Sequence, residues 1–202
     1  MNADFDLLES IRCEDREFLW LDRHLDRMAF SAAYFGFHFD LETVTEALDA
    51  VRDPGIAKAR LTLSRDGSAV ASRTPLGSLD PVRLAVAQTR VNSTDVSLGH
   101  KTTDRRIYEG ALMDRPEADD VVLVNERGEI TEATSSNVVL RFGDLWVTPP
   151  AESGLLPGIH RAVLLESGEL EEGRLTVDDL AKADEIALVN SVRLRRSAIL
   201  DA

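Results

Sequence analysis

Gly128-Glu129-Ile130-Thr131-Glu132-Ala133-Thr134-Ser135-Ser136-Asn137-Val138 reads as a strand broken by a run of small hydroxyl residues. Upstream, residues 121–125 form a strand that closes on the turn Glu126-Arg127-Gly128, and the next strand passes through Ile130. Downstream, residues 138–142 and 145–147 make a hairpin around Gly143-Asp144. Short strands joined by two- or three-residue turns can only pair antiparallel.

The first half adds helices. From Leu21 to Phe35 the apolar residues Leu21, Leu25, Met28, Ala32 and Phe35 recur at helical spacing, and Gly36 stands at the C-cap position. A second helix runs over residues 41–51, with Asp40 as its cap and Asp53-Pro54-Gly55 as its stop. Residues 57–63 alternate apolar and polar, and Asp66-Gly67 turns the chain into Ala69-Val70-Ala71. Residues 82–86 are a further strand, and residues 89–99 are polar and aperiodic. Helices follow at about 104–113, at 159–165 after Pro157-Gly158, and near 177–183 under the cap Thr176. Buried strand 186–189 leads to Asn190-Ser191, and a last strand approaches Leu200. The expected class is α/β of the mixed α+β kind, with antiparallel sheets rather than a doubly wound parallel one. Two small α/β lobes are expected, residues 1–88 and 97–202, joined by a connection at 89–96.

Composition narrows the function. The 202 residues carry 36 acidic and 23 basic side chains, net −13, which disfavours nucleic acid and anionic membranes as partners. The one cysteine, Cys13, allows neither an internal disulfide nor a cysteine zinc cluster, and suits a reducing cytoplasm. The acidic N-terminal segment has no basic region followed by an apolar run, and no stretch reaches the ~20 apolar residues of a membrane span. There is no GxGxxG after a strand, no GxxxxGK[ST], no HExxH and no GxSxG, and His24, His38, His100 and His160 do not pair at metal spacing. No metal is expected.

Three features carry chemistry. Of three lysines, Lys58 and Lys182 sit on solvated faces, whereas Lys101 lies in Gly99-His100-Lys101-Thr102-Thr103, between an irregular stretch and a helix. A lysine held in a pocket there gains nucleophilic use, although a lysine before a helix is more often simply exposed. Glu132 is followed by residues too small to cover it, so it is either a loop carboxylate or one aimed into a cavity. Gly154-Leu155-Leu156-Pro157-Gly158-Ile159-His160-Arg161 opens a helix whose first N–H groups can take an anion, or is a plain structural turn. Each is weak alone. Together they supply an amine, a carboxylate and a phosphate cradle, the three needs of pyridoxal phosphate (PLP).

From residue 5 to residue 200 the sequence resembles the fold-type-IV PLP enzymes, the class of D-amino acid and branched-chain aminotransferases and aminodeoxychorismate lyase. The likeness to the lyases, especially lyase domains fused to aminodeoxychorismate synthase, rests on three stretches. They are Phe5-Asp6-Leu7-Leu8-Glu9-Ser10-Ile11-Arg12, the helix from Leu21 to Gly36, and His100-Lys101-Thr102-Thr103. By resemblance, PLP sits in the cleft between the lobes and Lys101 is the Schiff-base lysine. Glu132 matches the partner of the pyridine nitrogen, and Asn137 the asparagine of the same motif. Arg27 matches the phosphate arginine, Ile159 and His160 the helix start whose N–H groups bind phosphate, and Ser191 and Val192 the other phosphate-side loop. The resemblance implies a homodimer acting on a small molecule, functionally tied to aminodeoxychorismate synthase. It also implies the lyase reaction, with a class IV aminotransferase acting on branched-chain or D-amino acids as the alternative. Branched-chain aminotransferases carry a tyrosine five positions after the lysine; here Arg106 stands there, and Tyr108 is out of phase. Full-length members also begin with a strand pair ahead of the segment matching Phe5 to Arg12, which this sequence lacks, as the fused lyase domains do; the resemblance therefore leaves open how one active-site wall and the dimer edge are completed. Arg12, Arg90, Arg193 and Arg195 are candidate carboxylate clamps, though each also reads as a surface arginine.

Overall fold

The computed structural model describes residues 5–77 and 81–201, which fall into two compact units. One takes in residues 5–77 with His100–Asp104; the other takes in residues 81–99 and 105–201.

The first unit is a four-stranded antiparallel sheet under two helices. Its elements are β1 (Leu7–Glu14), β2 (Glu17–Phe18), α1 (Leu21–Phe35), α2 (Leu41–Asp49), β3 (Ala57–Leu63) and β4 (Ala69–Pro75), with strand order β2-β1-β3-β4. The alternation expected over 57–63 is present, with every odd residue of β3 buried. Gly36 ends α1 in the left-handed conformation, and the Asp40 carboxylate accepts from the Thr43 N–H at the start of α2. Leu7, Ile11 and Cys13 of β1 pack with Met28 and Ala32 of α1, Val44 and Leu48 of α2, and Leu61 and Leu63 of β3. Because side chains alternate along a strand, Glu9 must share that apolar face, and it is 1% exposed. The edge of β1 is extended by the segment that carries Lys101. Leu8 N–H donates to the Lys101 carbonyl (3.0 Å), Thr103 N–H to the Asp6 carbonyl (2.9 Å), and Leu7 faces Thr102.

The second unit holds β5 (Val82–Val91), α3 (Arg106–Met113), β6 (Asp120–Asn125), β7 (Ile130–Ala133), β8 (Asn137–Phe142), β9 (Leu145–Thr148), α4 (Ile159–Glu166), β10 (Glu171–Glu172), α5 (Val177–Lys182), β11 (Glu185–Asn190) and β12 (Leu194–Leu200). Its eight strands run β10-β9-β8-β11-β12-β5-β6-β7, and β7 also pairs with β8, so the sheet closes on itself. Pairing is mixed: β12, β5 and β6 are parallel neighbours, and β6, β7, β8 and β11 are antiparallel. Val122, Val124, Ile130, Val138, Leu140 and Leu188 fill the closed interior.

Residues 89–99 are not wholly irregular. Strand β5 runs on to Val91, and a 3-10 turn covers Val96–Gly99. The polar run Gln88-Thr89-Arg90 is exposed, so no alternation marks the strand there, and its register against β6 shifts between Val86 and Arg90. The strand thus crosses residue 88 and lies whole within the second unit. Strands β1 and β10 were not read from the sequence: in β1 an acid, Glu9, takes one of the inward positions, and β10 has two residues.

Candidate active site

The expected residues fall into two groups. Arg27 and Lys101 belong to the first unit; Glu132, Asn137, Ile159, His160, Ser191 and Val192 belong to the second.

In the first unit Arg27, on α1, is fixed by Glu9. Arg27 Nε and Nη2 donate to the two carboxylate oxygens of Glu9 at 2.8 and 2.7 Å, and His24 Nδ1 meets Glu9 Oε2 at 2.6 Å. Burial alone raises the proton affinity of Glu9, but Arg27 and His24 outweigh it and hold the carboxyl down at about 2. Burial pushes His24 below its ordinary value against the pull of Glu9, and the positive charges of Arg27 and Lys101 act in the same sense. The ring is therefore neutral, and its Nδ1–H donates to the carboxylate. The other ring nitrogen of His24 is buried with no hydrogen-bond partner among the described residues. The guanidinium is planar, so a fork closed on Glu9 along the Nε–Nη2 edge dictates which edge can meet a phosphate. His100, beside Lys101, ties that segment to α1. Its Nδ1 lies 2.9 Å from Ser31 Oγ, and its ring stacks on Tyr34 at 4.7 Å and meets Phe35 edge-on at 4.7 Å.

In the second unit Glu132 lies on β7, buried, with Asn137 of β8 as its cross-strand partner. The turn between them is built on Asp120. That carboxylate accepts from Thr134 N–H (2.9 Å), Thr134 Oγ1 (2.6 Å) and Val121 N–H (2.8 Å). The Tyr108 hydroxyl of α3 donates to Glu132 Oε1 at 2.8 Å. Asn137 Nδ2 donates to the Leu156 carbonyl at 2.9 Å, and a Cβ on Gly158 would overlap Asn137 Oδ1. Gly158 caps α4 without a side-chain cap of its own, and no acid stands in the first turn. His160 loses proton affinity to burial but is held by the backbone carbonyls of Asn190 and Leu194. Asn190 Oδ1 in turn accepts from Val192 and Arg193 N–H, and its Nδ2 donates to Ser136 Oγ at 2.9 Å. Of the expected residues of this unit, Glu132 is held by Tyr108 and Asn137 by Leu156, and the Val192 N–H is already engaged by Asn190.

This donor set fits PLP. A helix start capped by a glycine that lies against Asn137 is a cradle that a Cβ would fill, and it suits a phosphate. A buried carboxylate with one oxygen held suits a protonated ring nitrogen, and a lysine pinned by its backbone suits a carbonyl carbon. Sequence reasoning missed Glu9, His24, Tyr108 and Asp120. Glu9 carried a signal, an acid in phase with Leu7, Ile11 and Cys13; the others depend on pairing that no local pattern shows.

The family and the relatives below make this chain a PLP-dependent enzyme, either a lyase or an aminotransferase. The chain belongs to the class IV amino-transferase family, whose pattern it matches over residues 6–198. It is 34% identical over 191 residues to an inferred aminodeoxychorismate lyase of Schizosaccharomyces pombe, covering 89% of this chain and 83% of that protein. A solved structure of an inferred amino-acid aminotransferase from Mesorhizobium loti is 38% identical, with a TM-score of 0.92 over 98% of this chain and 100% of that one. An inferred 4-amino-4-deoxychorismate lyase from Legionella pneumophila shares the fold at 22% identity, with a TM-score of 0.83 over 96% of this chain and 82% of its own. No helix among the described residues is long and apolar enough to cross a membrane.

Proposed function

We propose that this protein is an aminodeoxychorismate lyase, cleaving 4-amino-4-deoxychorismate to 4-aminobenzoate and pyruvate, and that both groups of residues serve one PLP molecule. The observation that carries the lyase reading is the segment after Lys101. The fifth position, a tyrosine in branched-chain aminotransferases, is the exposed Arg106, and the out-of-phase Tyr108 has its hydroxyl on Glu132. The likeness to the Schizosaccharomyces pombe protein supports the same reading. The likeness to the Mesorhizobium loti protein favours the second one, an aminotransferase acting on branched-chain or D-amino acids. A homodimer in the cytoplasm, placed in folate synthesis after aminodeoxychorismate synthase, belongs to the lyase reading.

When bound, PLP supplies a carbonyl that captures the substrate amine and a ring that accepts the electron pair of a broken C–H bond. Arg27, the N–H groups of Ile159 and His160, and the Ser191–Val192 loop hold its phosphate. Glu132 keeps a proton on the ring nitrogen, with Asn137 bracing the adjoining turn. Lys101, as the free amine, takes the proton from the carbon beside the substrate nitrogen. The C–O bond to the enolpyruvyl group would then break with its electron pair leaving on the enolpyruvate oxygen, the product ring becoming aromatic, and Lys101 would return its proton to the enolpyruvate methylene carbon to give pyruvate.

Products decide between the two readings. A lyase forms 4-aminobenzoate and pyruvate over many turnovers with no keto acid added. Transamination that depends on a keto acid, with no 4-aminobenzoate formed, overturns the lyase reading and leaves the PLP assignment standing.

A further inference from the structure

Tyr108 has no counterpart among the roles above. It stands seven positions after Lys101, in the first turn of the short helix α3, and is half-buried against the Ala111, Val121 and Leu123 cluster. Two contacts set it against the Glu132 strand. Its hydroxyl donates to Glu132 Oε1 at 2.8 Å. The Arg105 guanidinium lies over its ring, 4.3 Å from the centroid, and also donates to the carbonyl of Thr134, two residues beyond Glu132. The start of α3 therefore grips the Glu132–Thr134 stretch at a carboxylate and at a carbonyl.

We propose that Tyr108 is a positioning residue for Glu132, fixing the carboxylate's rotation and keeping it charged so that its second oxygen addresses the PLP ring nitrogen. This rests on the PLP reading of Glu132 given above. A carboxylate at the end of a three-carbon side chain turns about its last torsion with little cost, since that torsion is broad and two-fold. The hydrogen bond from Tyr108 to one oxygen restrains that torsion and tells the two oxygens apart. The donor must never become an acceptor. Burial, and then the charge of Glu132 itself, push the phenol far above its ordinary value, so the O–H stays in place across the working range. A donor to a buried carboxylate also stabilises its ionised form, the form that holds a proton on a neighbouring nitrogen.

A purely structural role, satisfying two buried polar groups, would make the same hydrogen bond. Tyr108→Phe separates the two, because it removes only the hydroxyl and leaves the ring beneath Arg105. The measurements are the unfolding midpoint of the apoenzyme, the dissociation constant for PLP, the absorbance spectrum of bound PLP against pH, and turnover. Each is made in the wild type and in a Glu132→Gln background. We expect Tyr108→Phe to shift the pH midpoint of the bound-PLP spectrum and to lower turnover about 10-fold or more, the scale of one charge-assisted hydrogen bond. We expect the same substitution to add nothing once Glu132 is Gln. A wild-type spectrum and turnover in Tyr108→Phe, or an undiminished effect in the Glu132→Gln background, overturns the inference. If Glu132→Gln alone leaves spectrum and turnover unchanged, it is the PLP reading of Glu132 that fails, and the inference falls with it.

Discussion

Arg27→Met removes the partner of a carboxylate that cannot reach water. Glu9 is 1% exposed, and both of its oxygens accept from Arg27 at 2.8 and 2.7 Å. In the native protein its pKa falls from 4.5 to about 2. A folded value below the unfolded one stabilises the protein above the unfolded value, and that contribution is lost as pH falls toward about 2. At roughly 1.4 kcal/mol per pH unit, the drop from 4.5 to about 2 is worth about 3 kcal/mol at neutral pH. Stripping one partner from a buried pair typically costs about 3–5 kcal/mol, so the two routes agree. In Arg27→Met, desolvation is opposed by His24 alone, and the carboxyl moves up past its ordinary value. The sign then reverses: the variant's deficit against wild type is largest near pH ~7.5 and shrinks toward pH ~5, where Glu9 takes up a proton. Denaturant unfolding of the apoenzyme, followed by circular dichroism at both pH values, reads this directly. Adding Glu9→Gln removes the orphaned charge and should return most of the lost stability, while PLP affinity stays roughly 10- to 150-fold weaker because the phosphate arginine is still missing. A deficit below about 1 kcal/mol, or one that does not narrow as pH falls, refutes the pairing as the dominant force on Glu9.

Lys101→Ala should abolish turnover and the near-ultraviolet absorbance of covalently held PLP, whereas Lys58→Ala and Lys182→Ala should keep both; loss of the absorbance only in one of the latter two moves the assignment to that lysine. Gly158→Ala places a Cβ onto Asn137 Oδ1, so PLP affinity should fall and the unfolding free energy drop by about 1–3 kcal/mol, the usual cost of overpacking, as measured by PLP titration and denaturant unfolding. Thr134→Val removes the one hydrogen bond from Thr134 Oγ1 to Asp120, and should cost about 1–3 kcal/mol in the same unfolding assay, because a buried carboxylate loses a donor.

What the sequence disclosed divides along a physical line. Elements whose signal is local were readable. The 3.6-residue stripe and Gly36 mark α1, strict alternation marks β3, and Gly143-Asp144 marks the β8–β9 hairpin. The closure of the large sheet was not readable. It needs β12 beside β5 and β5 beside β6 in parallel, plus β7 against β8, and each of the parallel pairings joins residues far apart in the chain with no turn to announce it.

The candidate site divides the same way. Lys101, Glu132 and the start of α4 could be singled out as candidates because each is a chemically expensive residue or a helix start set among small or irregular neighbours. The partners of Arg27, Glu132 and Thr134 could not, because they lie elsewhere in the chain: Glu9 is 18 residues from Arg27, Tyr108 is 24 from Glu132, and Asp120 is 14 from Thr134. Glu9 marks the boundary between the two kinds. An acid in phase with Leu7, Ile11 and Cys13 announces a buried charge, and a buried charge demands a partner, but nothing local says that the partner is Arg27. Aligning β1 under α1 supplies that answer, which is why an arginine legible only through family likeness acquires a physical reason for its orientation once the strand and helix are packed.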